Sequence, residues 1–163
     1  CGITMNVNVL RSESIGSIHI KSADPAEPPA IRVNFLSAEM DRTGILHAMR
    51  KGRELMAASP IAEIVGEEIA PGAAYQTDEQ LLEWVRNNAE TTYHPIGTCK
   101  MGSDTMAVVD DQLRGHGIKG LRVADASIMP TLTSGNTNAP SIMIGEKCAV
   151  MILASVAAET KAA

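Results

Sequence analysis

Apolar and polar residues alternate in part over residues 3–10, "ITMNVNVL", the two-residue period of a strand with one buried face. A second extended run at 16–22, "GSIHIKS", follows a short turn and is predicted to be its hairpin partner. The proline-rich "DPAEPP" at 24–29 reads as a loop, and "AIRVNFL" resumes extended structure. From Ser37 the period changes. Ile45, Met49, Gly52 and Met56 recur at helical spacing, and Pro60 ends that helix. "GEEIAPGAA" at 66–74 is a predicted loop. Thr77 and Gln80 then form a capping box ahead of a helix that carries Leu81, Leu82, Val85 and Ala89 and ends near Asn87 or Asn88. The last third holds short, glycine-punctuated extended runs. It closes on "NAPSIMIGEKCAVMILASVAA", apolar on most faces, which predicts a long buried helix capped by Asn138.

Hairpin strands mixed with helices, without repeated strand–helix–strand units, predict an α+β fold with a mostly antiparallel sheet and packed helices. The chain has 163 residues, enough for one domain with a real core. We expect a single domain over 1–163, with sheet and helices in 1–90 and the chemistry in 91–163.

Composition then narrows the function classes. Aromatics are only 2% of the chain while Met numbers 9, so the core is expected to be aliphatic and Met-filled. A formal charge of −5 without a Lys/Arg cluster argues against a nucleic-acid surface. No apolar run looks long enough to span a bilayer, so no transmembrane segment is expected. The start, "CGITMNVNVLRS", lacks the pattern of a signal peptide. Cys1, Cys99 and Cys148 have no CxxC spacing, which favours reduced thiols and a cytoplasmic setting. A strand-like start at Cys1 rather than Met suggests a piece of a longer protein.

"GHGIKG" at 115–120 satisfies GxGxxG, but it leads into the strand-like "LRVAD". A dinucleotide site needs the glycines to open a helix, so this is read as a turn. His94, Cys99, Met101 and Met106 do not make a soft-metal site, which needs three or four convergent ligands. His19, His47 and His116 read as surface or structural histidines.

His94 is different. It stands in "TTYHPIGTCKMGSD", residues 91–104, between a tyrosine and a rigid proline. It is either a structural histidine at a strand entry or a proton acceptor. The pentad "GNTNA" at 135–139 tilts the balance. Asn138 is explained as a cap, whereas Asn136 is left free to serve elsewhere. A histidine, an amide and a helix N-terminus together suit removal of a proton from an alcohol.

"YHPIGTCKMG" followed by "AVVDDQLRGHGIKGLRVADASIMPTLTSGNTNAPSIMIGEKCA" resembles the C-terminal signature of the glucose-methanol-choline (GMC) oxidoreductases, most like the choline dehydrogenase branch. "LRSESIGSIHIKSADP" and "TDEQLLEWVRNNAETTYHP" resemble earlier parts of the same domain. The resemblance implies FAD as cofactor, a small-molecule alcohol as substrate and a separate N-terminal FAD domain as partner. It implies His94 as the active-site histidine, accepting the hydroxyl proton while hydride leaves for the flavin, and Asn136 as its hydrogen-bonding partner. It places Asp125 and Ala126 along the ribityl and pyrophosphate of the cofactor, and Thr137 and Asn138 at the flavin pyrimidine edge. Members often carry Pro and Arg where this chain has Ser12 and Ile15. The family's FAD fingerprint lies outside these residues. The segment alone is therefore expected to be inactive and to self-associate through the surface it leaves uncovered. Two alternatives stand beside the alcohol oxidoreductase: a non-catalytic binding module, and a flavin-dependent lyase on the same fold.

Overall fold

The computed structural model describes residues 2–162; Cys1 lies outside the described residues. Among the described residues are three α-helices and a two-stranded antiparallel sheet, an α+β arrangement. The chain divides into two compact units, Cys1–Thr91 and Thr92–Ala163.

In the first unit, β1 (Ser17–His19) pairs with β2 (Ala30–Arg32), with Ile18 opposite Ile31. The proline-rich loop closes this hairpin. The expected pairing of residues 3–10 with β1 is thus wrong. That first segment is extended but forms no strand among the described residues. It lies instead along α1 (Glu39–Met56), whose glycines make the approach possible. A Cβ on Gly44 would stand 3.2 Å from Val9, and one on Gly52 3.3 Å from Met5 Sδ. Two glycines eight positions apart share a helix face, so the segment seats directly against the helix backbone.

The helix α1 stops at Met56, just ahead of Pro60, and Ile61–Glu63 forms a 3-10 turn that the periodicity did not predict. Arg53 ties the following loop down, bonding Glu68 at 2.9 Å and the Tyr75 carbonyl at 2.8 Å. The second helix, α2 (Asp78–Asn88), begins where the capping box predicts. Gln80 N–H donates to Thr77 Oγ1 at 3.2 Å, and Thr77 N–H donates to Gln80 Oε1 at 2.9 Å. Leu81 and Val85 of α2 are buried.

The second unit has its own core of Val109, Leu113, Ile128, Met129, Ile144 and Cys148. Its extended runs meet through isolated bridges, Met101 with Val109, Val109 with Gly115, and Arg114 with Arg122. "LRVAD" is no strand beyond that one bridge. "GHGIKG" is a turn, with Gly117 and Gly120 at φ +78° and +77° and no helix behind them. Cys99 and Cys148 are free thiols.

The final helix, α3 (Asn138–Ala162), corrects two expectations. Only a narrow stripe of it is buried. Ile144 and Cys148 enter the core, whereas Ile142, Met143, Val150, Ile152, Leu153 and Val156 are exposed. The all-round apolar pattern recorded surface to be covered, and these residues cover one side of it. Its stretch Asn138–Ala158 is also long and apolar enough, by length and composition, to cross a membrane. The charged pair Glu146 and Lys147 breaks the apolar run in the sequence and hid that length.

Candidate active site

Two backbone hydrogen bonds join the motif around His94 to the "ADASIM" stretch. Cys99 N–H donates to the Ser127 carbonyl at 3.0 Å and Met101 N–H to the Ile128 carbonyl at 2.8 Å. Ile96 and Met101 pack on the core beneath, beside Ile128 and Met129. Gly97 sits at φ +82°, where a Cβ would meet the Met129 carbonyl at 3.4 Å. A residue other than glycine would be strained at that φ.

Tyr93 precedes His94 with φ +60°. A left-handed non-glycine residue costs on the order of 1–3 kcal/mol and is concentrated at functional sites. Nothing in the residue type announces it. The turn it makes delivers the His94 ring, half-buried, to the start of α3. There Nδ1 lies 2.9 Å from Thr137 Oγ1, and Thr137 N–H faces the same nitrogen at 3.4 Å.

Thr137 is 8% exposed and holds the N-cap position of α3. Its carbonyl accepts the first helical bond, from Ser141 N–H at 3.0 Å, and a second from the Ser141 hydroxyl at 2.7 Å. Asn138 is the first helical residue. The expected cap at Asn138 is therefore off by one position. The "TNAP" tetrad offers two cap-competent residues, and the bond from Ser141 selects the first. Asn136 is exposed and adjoins Thr137 in the chain. The Thr137 side chain is the site feature that sequence reasoning missed, because its predicted role was confined to its backbone.

Asp125 and Ala126 lie on the other side of the motif, at the 3-10 turn Ala126–Ile128. The Asp125 carboxylate accepts Ser127 N–H at 2.7 Å and caps that turn. The bonds from Ser127 hold its pKa below the ordinary carboxylate value, outweighing desolvation. What Asp125 offers a ligand is chiefly its backbone, since the carboxylate is already engaged. At α3 the first-turn N–H groups of Asn138 and Ala139 have no helical acceptor, and Pro140 has no N–H. This donor set, at the positive end of a helix, fits the electron-rich pyrimidine edge of a flavin. His116, by contrast, is structural: its ring N–H reaches the Gly102 carbonyl at 3.0 Å.

Residues 12–145 match the model of the C-terminal domain of GMC oxidoreductases, and the chain belongs to that family. Among curated relatives it is 54% identical over 151 residues to the oxygen-dependent choline dehydrogenase of Escherichia coli, covering 93% of this chain and 27% of that protein. The choline dehydrogenase of Cronobacter sakazakii is also 54% identical, over 91% of this chain and 26% of its own length. The chain thus spans about a quarter of the curated relatives it matches. Among solved structures, formate oxidase superposes with a TM-score of 0.83 at 32% identity, over 90% of this chain and 26% of that one. Pyridoxine 4-oxidase from Mesorbium loti gives 0.81 at 31% identity, over 86% and 27%.

Proposed function

We propose that this chain supplies the substrate-facing wall of an FAD-dependent alcohol oxidoreductase. The carrying observation is the contact of His94 with Thr137, which brings the motif at 91–104 to the pentad at 135–139. When bound, FAD supplies the hydride acceptor. His94, neutral, takes the hydroxyl proton of the alcohol on Nε2. Asn136, next to that contact in the chain, orients the oxygen and stabilises the developing alkoxide. The backbone of Asp125 and Ala126 would line the ribityl and pyrophosphate, and the first turn of α3 from Thr137 and Asn138 would face the flavin ring. The match to choline dehydrogenases makes choline the first alcohol to test.

Exposed apolar surface supports a further domain as partner. It includes Ile20, Ile31 and Phe35 in the first unit and the outer face of α3 in the second. The test uses the full flavoprotein that carries this segment, with flavin bleaching by choline and other alcohols followed in a stopped-flow instrument. His94→Ala should slow bleaching by roughly 10²–10⁴, the range for a lost general base, with FAD still bound. Asn136→Ala should lower kcat more than it raises KM, because its amide acts on the alkoxide-like transition state. Bleaching at the wild-type rate in His94→Ala overturns the reading. A purely KM effect in Asn136→Ala reassigns that residue to binding. Absence of any bleaching in the wild-type protein would favour a lyase or a binding module.

A further inference from the structure

The two contacts at His94 Nδ1 constrain its tautomer differently. A neutral imidazole has one N–H and one lone pair. The Thr137 N–H can only donate, so it favours a lone pair on Nδ1. The Thr137 hydroxyl can donate or accept, so it is compatible with either tautomer and is the acceptor in reach when Nδ1 is protonated. At 3.4 Å the backbone contact is past the normal hydrogen-bond range, whereas the hydroxyl at 2.9 Å is well inside it. We propose that Thr137 is the positioning residue of His94, its hydroxyl accepting Nδ1–H so that the Nε2 lone pair stays open towards the substrate. This rests on the reading of His94 as proton acceptor.

The sequence frees the hydroxyl for the task. A threonine at an N-cap ordinarily accepts from the second or third helical N–H. The third residue here is Pro140, which has none to give. The Ser141 hydroxyl is committed to the Thr137 carbonyl at 2.7 Å and does not compete for the ring. Burial and the β-branched side chain restrict rotation about χ1. Once Nε2 takes up the alcohol proton, both ring nitrogens carry hydrogen. Oγ1 then accepts from Nδ1–H of the cation, a charge-assisted bond stronger than the neutral one. The hydroxyl therefore accepts from Nδ1–H in the tautomer that can act as base, and again in the charged ring that results.

Three variants of the FAD-loaded protein test this: Thr137→Val, which keeps the shape without the hydroxyl, Thr137→Ser, which keeps the hydroxyl, and His94→Ala. With ¹⁵N-labelled histidine, at a pH where the ring is neutral, the wild type and Thr137→Ser should show Nδ1 protonated. In Thr137→Val the proton should move to Nε2. Flavin reduction by alcohol should slow by about ten- to a hundredfold in Thr137→Val, with most of the rate restored in Thr137→Ser and KM little changed. An unprotonated Nδ1 in the neutral wild type overturns the proposal by itself, whether or not the valine variant folds. So does a Thr137→Val protein with the wild-type rate and tautomer. A His94→Ala protein that reduces flavin at full speed instead overturns the role of the histidine, whatever the nitrogen spectrum shows.

Discussion

Ser12 donates its hydroxyl to the Asp41 carboxylate at 2.5 Å, across 29 residues. The backbone N–H groups of Glu13 and Ser14 donate to the same carboxylate, each at 2.9 Å. Ser12 stands where the resemblance led us to expect a proline, which has no hydroxyl to offer. In this chain the turn is pinned by hydrogen bonds to the first turn of α1. Asp41 is only 2% exposed, so these three donors are what make its burial tolerable.

Acid should loosen this pin. Burial pushes the Asp41 carboxyl up, but the bonds from Ser12, Ser14 and Glu13 outweigh it and hold its pKa below the ordinary value. A folded pKa below the unfolded one, about 3.9, gives stability that is fully present above the unfolded value. That stability is lost as pH falls through the folded pKa. Asp41→Ala should cost about 1–3 kcal/mol at neutral pH by leaving the donors unmatched. Asp41→Asn should flatten the acid limb of the stability curve. Thermal melts between pH 2 and 7 read both effects. An Asp41→Asn protein with an unchanged acid limb assigns that loss to other groups.

The two sides of α3 should answer mutation differently. Ile144 is 6% exposed in the core of the second unit, whereas Leu153, on the same helix, is 70% exposed. In the 163-residue chain, Ile144→Ala should cost about 2–5 kcal/mol, the lost burial plus the cavity left behind. At a dilution where the chain is monomeric, Leu153→Ala should stay within about 0.5 kcal/mol. Urea unfolding followed by circular dichroism gives both numbers. A large cost for Leu153→Ala at higher concentration would mean that its face is covered by a second copy of the chain. The midpoint would then depend on protein concentration.

Local rules carried the sequence reading where local physics decides. The capping box at Thr77 and Gln80 and the helical period from Ile45 to Met56 need no distant partner, and both helices lie where they place them. The hairpin was half legible. The extended runs could be seen, but pairing 17–19 with 30–32 rather than with 3–10 depends on α1 offering Gly44 and Gly52 to the first segment. His94 and Asn136 were legible as residues, through motif and resemblance. The Thr137 hydroxyl was not, because a threonine at an N-cap already has an ordinary explanation. Only the left-handed turn at Tyr93, invisible in residue type, brings the imidazole to it.

The 163 residues by themselves should hold FAD weakly and turn over no alcohol. Tight binding of the cofactor needs a strand, a glycine turn and a helix whose N-terminus meets the pyrophosphate. The glycines at 115, 117 and 120 match that spacing, yet the residues behind them form no helix, so no dipole and no row of N–H groups is aimed at a phosphate. What these residues offer is one wall: the backbone at Asp125 and Ala126 and the first turn of α3. Such a wall contacts the flavin from one side and leaves the adenine without a pocket. The apolar outer face of α3 should meanwhile drive self-association, since an uncovered patch of this kind is rare on a soluble monomer. Titration of FAD into the purified chain, followed by flavin fluorescence, measures the affinity, and sedimentation at several concentrations measures the association. Sub-micromolar binding, or reduction of an artificial acceptor by choline, would show that the flavin site is complete within this chain and would overturn the division of labour proposed here.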